Sequence, residues 1–140
     1  MARSAPVLLV ALAGLASGVS AQTDISWNAG SGVWSGLGNW SPVNVPDNTT
    51  ENARIGGVLG RVVTLDMSYS INLLELGTGS TLLFNPGRNL NVLDDILNDG
   101  FITLNPTGDS TNSYIQFNGT SSITGGGILR LSGGGNDAQL

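Results

Sequence analysis

Glycine or asparagine interrupts nearly every ten-residue window beyond residue 22, and this punctuation restricts the chain to short extended pieces. Each interior glycine costs a helix about 1 kcal/mol relative to alanine. The one helical contender, Leu90 to Leu97, lacks a full amphipathic period. Between the interruptions lie runs that are apolar or alternate apolar with polar: Val62 to Leu65, Leu73 to Leu76, Leu82 to Phe84, Leu90 to Leu93, Ile102 to Leu104, Tyr114 to Phe117 and Ile128 to Leu131. Such runs, bounded by Gly, Asn and Pro, read as β-strands.

These strands are also self-similar. Leu82-Leu83-Phe84-Asn85-Pro86 returns twenty residues later as Ile102-Thr103-Leu104-Asn105-Pro106, and Asn98 and Asn118 share that offset. A period near twenty with Asn or Gly at the corners suits a stack in which each coil lends its neighbour the apolar face it lacks. Asparagine tolerates left-handed backbone and can stack its amide on the asparagine of the next coil. The predicted fold class is all-β, a right-handed parallel β-helix or solenoid; an antiparallel β-sandwich, whose strands recur every 8 to 12 residues, is the alternative. The inward set is Val63, Leu65, Leu74, Leu76, Leu82, Phe84, Leu90, Val92, Ile102, Leu104, Ile115, Phe117, Leu129 and Leu131.

The first residues carry an address. Arg3, the apolar run Val7 to Leu15 and the small residues ending at Val19-Ser20-Ala21 have the layout of a signal peptide cleaved after Ala21. That run is about half of the roughly 20 residues a spanning helix requires. The expected division is 1–21 signal peptide, 22–60 Trp/Gly-rich N-terminal cap region and 61–140 solenoid repeats. Processing leaves 119 residues, room for one modest domain, or about six coils of roughly twenty residues. The expected location is secreted or at the cell surface.

Composition narrows the chemistry. All five basic residues are arginine, ten acids oppose them, and Lys, His and Cys are absent. Scattered arginines cannot displace counterions from a phosphate backbone as a clustered patch does, so nucleic acid is not an expected partner. Lack of His and Cys removes the commonest general base, thiolate nucleophiles, disulfides and the usual zinc ligands. No cofactor or metal is expected, and the chain is not expected to be an enzyme.

Trp34-Ser35-Gly36-Leu37-Gly38-Asn39-Trp40, followed by Val45-Pro46-Asp47, Ala53-Arg54-Ile55 and Val62 to Leu65, resembles the N-terminal region of large bacterial surface proteins with autotransporter-associated β-strand repeats, as found in planctomycetes and their relatives. Asn98-Asp99-Gly100-Phe101-Ile102-Thr103-Leu104 is similar to them as well. The resemblance implies a β-helical passenger displayed outside the cell and transfers no catalytic residue. It departs from that family in lacking an outer-membrane barrel and a hydrophobic sorting tail. The run Gly133 to Leu140 reads as the middle of a further coil, which suggests truncation and an open solenoid end prone to self-association.

Three candidate sites stand out. Trp27, Trp34 and Trp40 are candidates for glycan contact as a stacking platform; placed at the start of the stack, where a cap is required, they suit a lid over its open end better. Asp94, Asp95 and Asp99, with Asp109 beyond, are the densest carboxylates. Paired carboxylates serve glycoside or calcium-dependent chemistry, but neighbours on a strand point to opposite faces, so a solvated turn is favoured. Gly133 to Asp137 has its aspartate out of register for a calcium-binding repeat, and Asn48-Thr49-Thr50 and Asn118-Gly119-Thr120 fit the glycosylation triplet. The expected partners are extracellular polysaccharide or other surface proteins.

Overall fold

The computed structural model describes residues 21–107 and 110–132 and the backbone of 138–139; the leader before Ala21, Asp109 and the Gly133 to Asp137 run lie outside the described residues. Alternation of apolar and polar residues makes strands throughout: β1 (Thr23–Trp27), β2 (Gly32–Val33), β3 (Trp40–Ser41), β4 (Glu51–Ile55), β5 (Val62–Leu65), β6 (Tyr69–Ile71), β7 (Leu73–Leu76), β8 (Thr81–Phe84), β9 (Asn89–Val92), β10 (Ile96–Asn98), β11 (Phe101–Leu104), β12 (Ser113–Phe117), β13 (Ile123–Thr124), β14 (Ile128–Leu131) and β15 (Ala138–Gln139). The protein is all-β. From Leu90 to Leu97, where a helix was conceivable, the chain forms β9, a bend and the start of β10.

From β4 onward, each strand pairs with the strand three places on, giving three sheets. The first runs β13-β10-β7-β4-β1-β3, the second β14-β11-β8-β5-β2 and the third β15-β12-β9-β6. Every ladder among the described residues is parallel except that of β1 with β3, so the antiparallel sandwich does not form. The repeat seen in the sequence is the register itself: Leu82 pairs with Ile102, and Phe84 with Leu104.

Because a strand's side chains alternate between faces, a parallel register turns each inward position into a column. The second sheet stacks Val63, Leu82, Ile102 and Leu129 in one column and Leu65, Phe84, Leu104 and Leu131 in the next. The first sheet adds Ile25, Ala53, Leu74 and Ile96; the third adds Leu90 over Ile115 and Ile71 under Val92. These residues form one continuous core, and each fully buried side chain contributes roughly 1.5–3 kcal/mol of transfer free energy. Most of the inward set is buried; Phe117 and Leu129 are only partly so, and Leu131 is 46% exposed, because no described strand stacks beyond β14.

The turn between the first and second sheets explains the glycine content. Gly57, Gly77, Gly100 and Gly127 follow β4, β7, β10 and β13, and their backbones touch in series. A Cβ on Gly77 would stand 2.3 Å from the Gly57 nitrogen; one on Gly127 would stand 2.4 Å from the Gly100 oxygen. No other residue allows that approach.

Asparagine fills the same role where a side chain is tolerated. Asn105 takes a positive φ of 49°, and the side-chain amide of buried Asn72 donates to Oδ1 of Asn52 at 2.7 Å, while that of Asn52 donates to Asp24 at 2.7 Å. Asn98 and Asn118 are not such a pair: Asn98 is buried at the end of β10, whereas Asn118 is exposed beyond β12, in a different sheet. Their common offset fails because the spacing between layers varies. It is nineteen residues from Val63 to Leu82 but twenty-seven from Ile102 to Leu129 and twenty-eight from Ile25 to Ala53. Longer turns at both ends leave five parallel layers in the second sheet where a uniform period gives six. Strands on either side of position 60 share sheets, since β2 pairs with β5 and β4 pairs with β7.

Candidate functional site

The three tryptophans assemble at the N-terminal edge. Trp27 ends β1 and is paired across an antiparallel step with Trp40 in β3, and Trp34 follows β2 directly. Their rings meet edge to face: Trp27 and Trp40 have centroids 4.9 Å apart at 86°, and Trp34 and Trp40 lie 4.8 Å apart at 65°. Tyr69 then stacks on Trp34 at 5.9 Å. Each indole N–H donates to a backbone carbonyl, Trp27 to Gly30 (2.8 Å), Trp34 to Pro46 (3.1 Å) and Trp40 to Trp34 (2.8 Å).

Relative exposures of 5%, 0% and 1% for Trp27, Trp34 and Trp40 leave no indole face for a sugar ring to lie on. The rings are packed into the core at the N-terminal edge of the first sheet, where two-residue β3 ends the ladder, a length too short to template further strands. Burial raises the Tyr69 phenol above its ordinary pKa, with the negative charges of Asp66 and Asp47 adding to the effect.

The carboxylates fasten turns. Asp94 is exposed; Asp95 accepts both the N–H (2.8 Å) and the hydroxyl (2.9 Å) of Ser122; Asp99 accepts the Gly126 N–H at 2.9 Å. Asp66 does the same for Ser35. Each bond joins one layer to the next, 27 or 31 residues away in sequence, so these aspartates stand in for a ladder where the strands have ended. Among the described residues no three acidic side chains converge as a metal ion requires.

Outward columns give each sheet its own surface. On the first sheet, Arg54 lies between Asp24, 3.0 Å away, and Glu75, with which it also pairs. A hydrogen bond from Asn52, followed by the bond and charge of Arg54, holds the Asp24 carboxyl below its ordinary pKa; Asp24 in turn raises that of Arg54. The second sheet presents Val62, Thr81, Phe101 and Ile128 in one column and Thr64, Leu83, Thr103 and Arg130 in the other. The third presents only uncharged polar groups, Ser70, Asn91 and Gln116 in line and Asn89 beside Tyr114, with Asn91 donating to the Ser70 hydroxyl at 3.1 Å. Sequence reasoning missed this face because its residues are scattered at intervals of 21 and 25 and come together only through the register.

No helix among the described residues is long and apolar enough to cross a membrane. Comparison with protein-family models, with curated proteins and with solved structures finds no match to this chain.

Proposed function

We propose that the chain is an exported, non-catalytic structural or adhesin-like protein of the cell surface or medium, coiled as a right-handed parallel β-helix and related to surface proteins with autotransporter-associated β-strand repeats. The observation that carries the reading is the regular three-strand pairing of β4 to β14 around one apolar core. Strands that visit three sheets in turn and return to the first are joined by parallel crossovers, and those are right-handed in nearly all proteins. Such a stack presents long flat faces of fixed chemistry, suited to extended contact. Export rests on the leader, residues 1–21. Expression of the full chain in a bacterial host tests it: the expected product is found outside the cytoplasm and begins at Gln22. An intact N-terminus with cytoplasmic retention refutes export.

A second reading, a carbohydrate-binding or carbohydrate-active domain, is favoured by the third sheet and not by the tryptophans. Its outward groups, Ser70, Asn89, Asn91, Tyr114 and Gln116, are hydroxyls, amides and one phenol. They match the hydrogen-bonding needs of an uncharged glycan. A screen of neutral and acidic polysaccharides for retention and for release of reducing ends separates the two readings. Retention of neutral chains that is lost in Asn91→Ala/Gln116→Ala supports binding, release of reducing ends supports catalysis, and neither result leaves the structural reading standing.

A further inference from the structure

We propose that Asn118 and Gly119 form a self-modifying site, at which the asparagine deamidates spontaneously through a cyclic imide while the protein remains folded. Asn118-Gly119 is the one Asn-Gly pair in the sequence. It lies in an exposed turn between β12 and β13. The attacking group is the Gly119 nitrogen, and among the described residues its N–H has no hydrogen-bond acceptor. A Cβ built on Gly119 meets nothing within 4 Å, and its φ of +127° belongs to backbone that glycine alone enters freely. Asn118 is anchored on one side only, through its N–H to the Val92 oxygen at 3.2 Å, so the peptide link to Gly119 can rotate towards its own side chain.

In the reaction the Gly119 nitrogen attacks Cγ of Asn118, the new N–Cγ bond forms, and the Cγ–Nδ2 bond breaks. Ammonia leaves with the proton from the Gly119 amide. Water then opens the imide at Cγ, giving aspartate, or at the main-chain carbonyl carbon, giving isoaspartate. No oxidant enters, and the one co-reactant is solvent water. The other asparagines are placed differently. Asn52 and Asn72 are buried with their amides hydrogen-bonded to one another, the Asn98 side chain accepts the Gly100 N–H, and Asn48 is followed by β-branched Thr49, which shields the attacking nitrogen. Opening to isoaspartate adds a methylene to the main chain and a negative charge to a chain already at −5, within the link that delivers β13 to its sheet.

The test is to hold the purified folded protein at mildly alkaline pH and follow the tryptic peptide from Asn89 to Arg130 by fragmentation mass spectrometry. The expected result is exchange of amide for acid at Asn118 before any other asparagine, as a mixture of aspartate and isoaspartate, with release of ammonia. Gly119→Val should abolish this lead, and Asn118→Gln, which leaves the turn glycine in place, should leave no isoaspartate at this position. The proposal is overturned if another asparagine converts first, if Gly119→Val converts as fast as the parent, or if conversion occurs only in urea-unfolded protein.

Discussion

Replacing Gly100 by alanine tests whether the layers are held at a contact that tolerates no side chain. A Cβ at this position stands 2.4 Å from the Ser80 oxygen, 2.9 Å from the Gly77 oxygen and 3.0 Å from Leu76 Cγ. An ordinary close carbon–oxygen approach is about 3.3 Å, so the Ser80 carbonyl must retreat by roughly 1 Å. It is not free to do so, because it accepts the Phe101 N–H at 3.0 Å, at the start of β11. Stretching that bond forfeits about 1 kcal/mol, and overpacking at a site that cannot yield costs typically 1–3 kcal/mol. Against this, alanine narrows the unfolded ensemble and returns about 0.4–1 kcal/mol. The net expectation is a loss of about 1–3 kcal/mol, which lowers the melting temperature of a domain this size by roughly 5–15 °C. Gly38 is the control, since a Cβ there meets nothing within 4 Å and its φ is not positive. Gly38→Ala should leave the melting temperature unchanged or slightly raised. Thermal unfolding followed by far-ultraviolet circular dichroism reads both variants, and coincident melting curves would refute the argument that these layers touch through backbone.

Three further outcomes follow from the same contacts. Phe84→Ala should cost about 3–5 kcal/mol in urea unfolding, while Leu83→Ala, whose side chain faces outward on the same strand, should cost well under half as much; equal losses would mean the inward face is misassigned. Trp40→Ala removes the ring that touches both other indoles and should destabilise by a comparable 3–5 kcal/mol, with no change in retention of the parent's glycans if it binds any; unaltered stability would exclude the lid. The folded pKa of Asp24 lies below its unfolded value, so its contribution is present above about pH 4 and is lost as the pH falls through the folded value. The ion pair is half-exposed, which limits the effect to below about 1 kcal/mol, and Arg54→Gln should reduce the acid sensitivity and its dependence on salt together; an unchanged acid limb would show that the Arg54 pair contributes nothing and that the Asn52 bond alone holds Asp24.

The strands and their inward residues were legible because alternation is local: Leu82, Phe84, Ile102 and Leu104 announce a buried face without knowledge of any partner. The pairing was legible only where the spacing is regular. Asn98 and Asn118 share the twenty-residue offset and yet sit in different sheets, since a turn can lengthen without disturbing the ladders on either side of it. The tryptophans posed a different problem. In sequence the start of the stack favoured a lid over a platform, but the burial of these rings rests on hydrogen bonds to the carbonyls of Gly30, Trp34 and Pro46, whose positions follow from the path of the whole first layer.

What no single segment could announce is the chemistry of the outer faces. The residues between the inward positions of β6, β9 and β12 look in sequence like ordinary solvated strand positions. Stacked in parallel at about 4.8 Å per layer, the same residues become stripes: on the first sheet Arg54 and Glu75 continued by Leu97 and Thr124, on the second apolar residues and threonines ending at Arg130, and on the third neutral polar groups. A substitution at one layer therefore changes a stripe and not a point, whereas an insertion in a turn leaves every stripe intact. The spacing varies from nineteen to twenty-eight residues while the inward columns run unbroken from Ile25 to Ile96 and from Val63 to Leu129, which is what that tolerance looks like. Surface chemistry in this chain is set by register, and register is held by the glycine corner and the aspartates that bind the next layer's N–H groups.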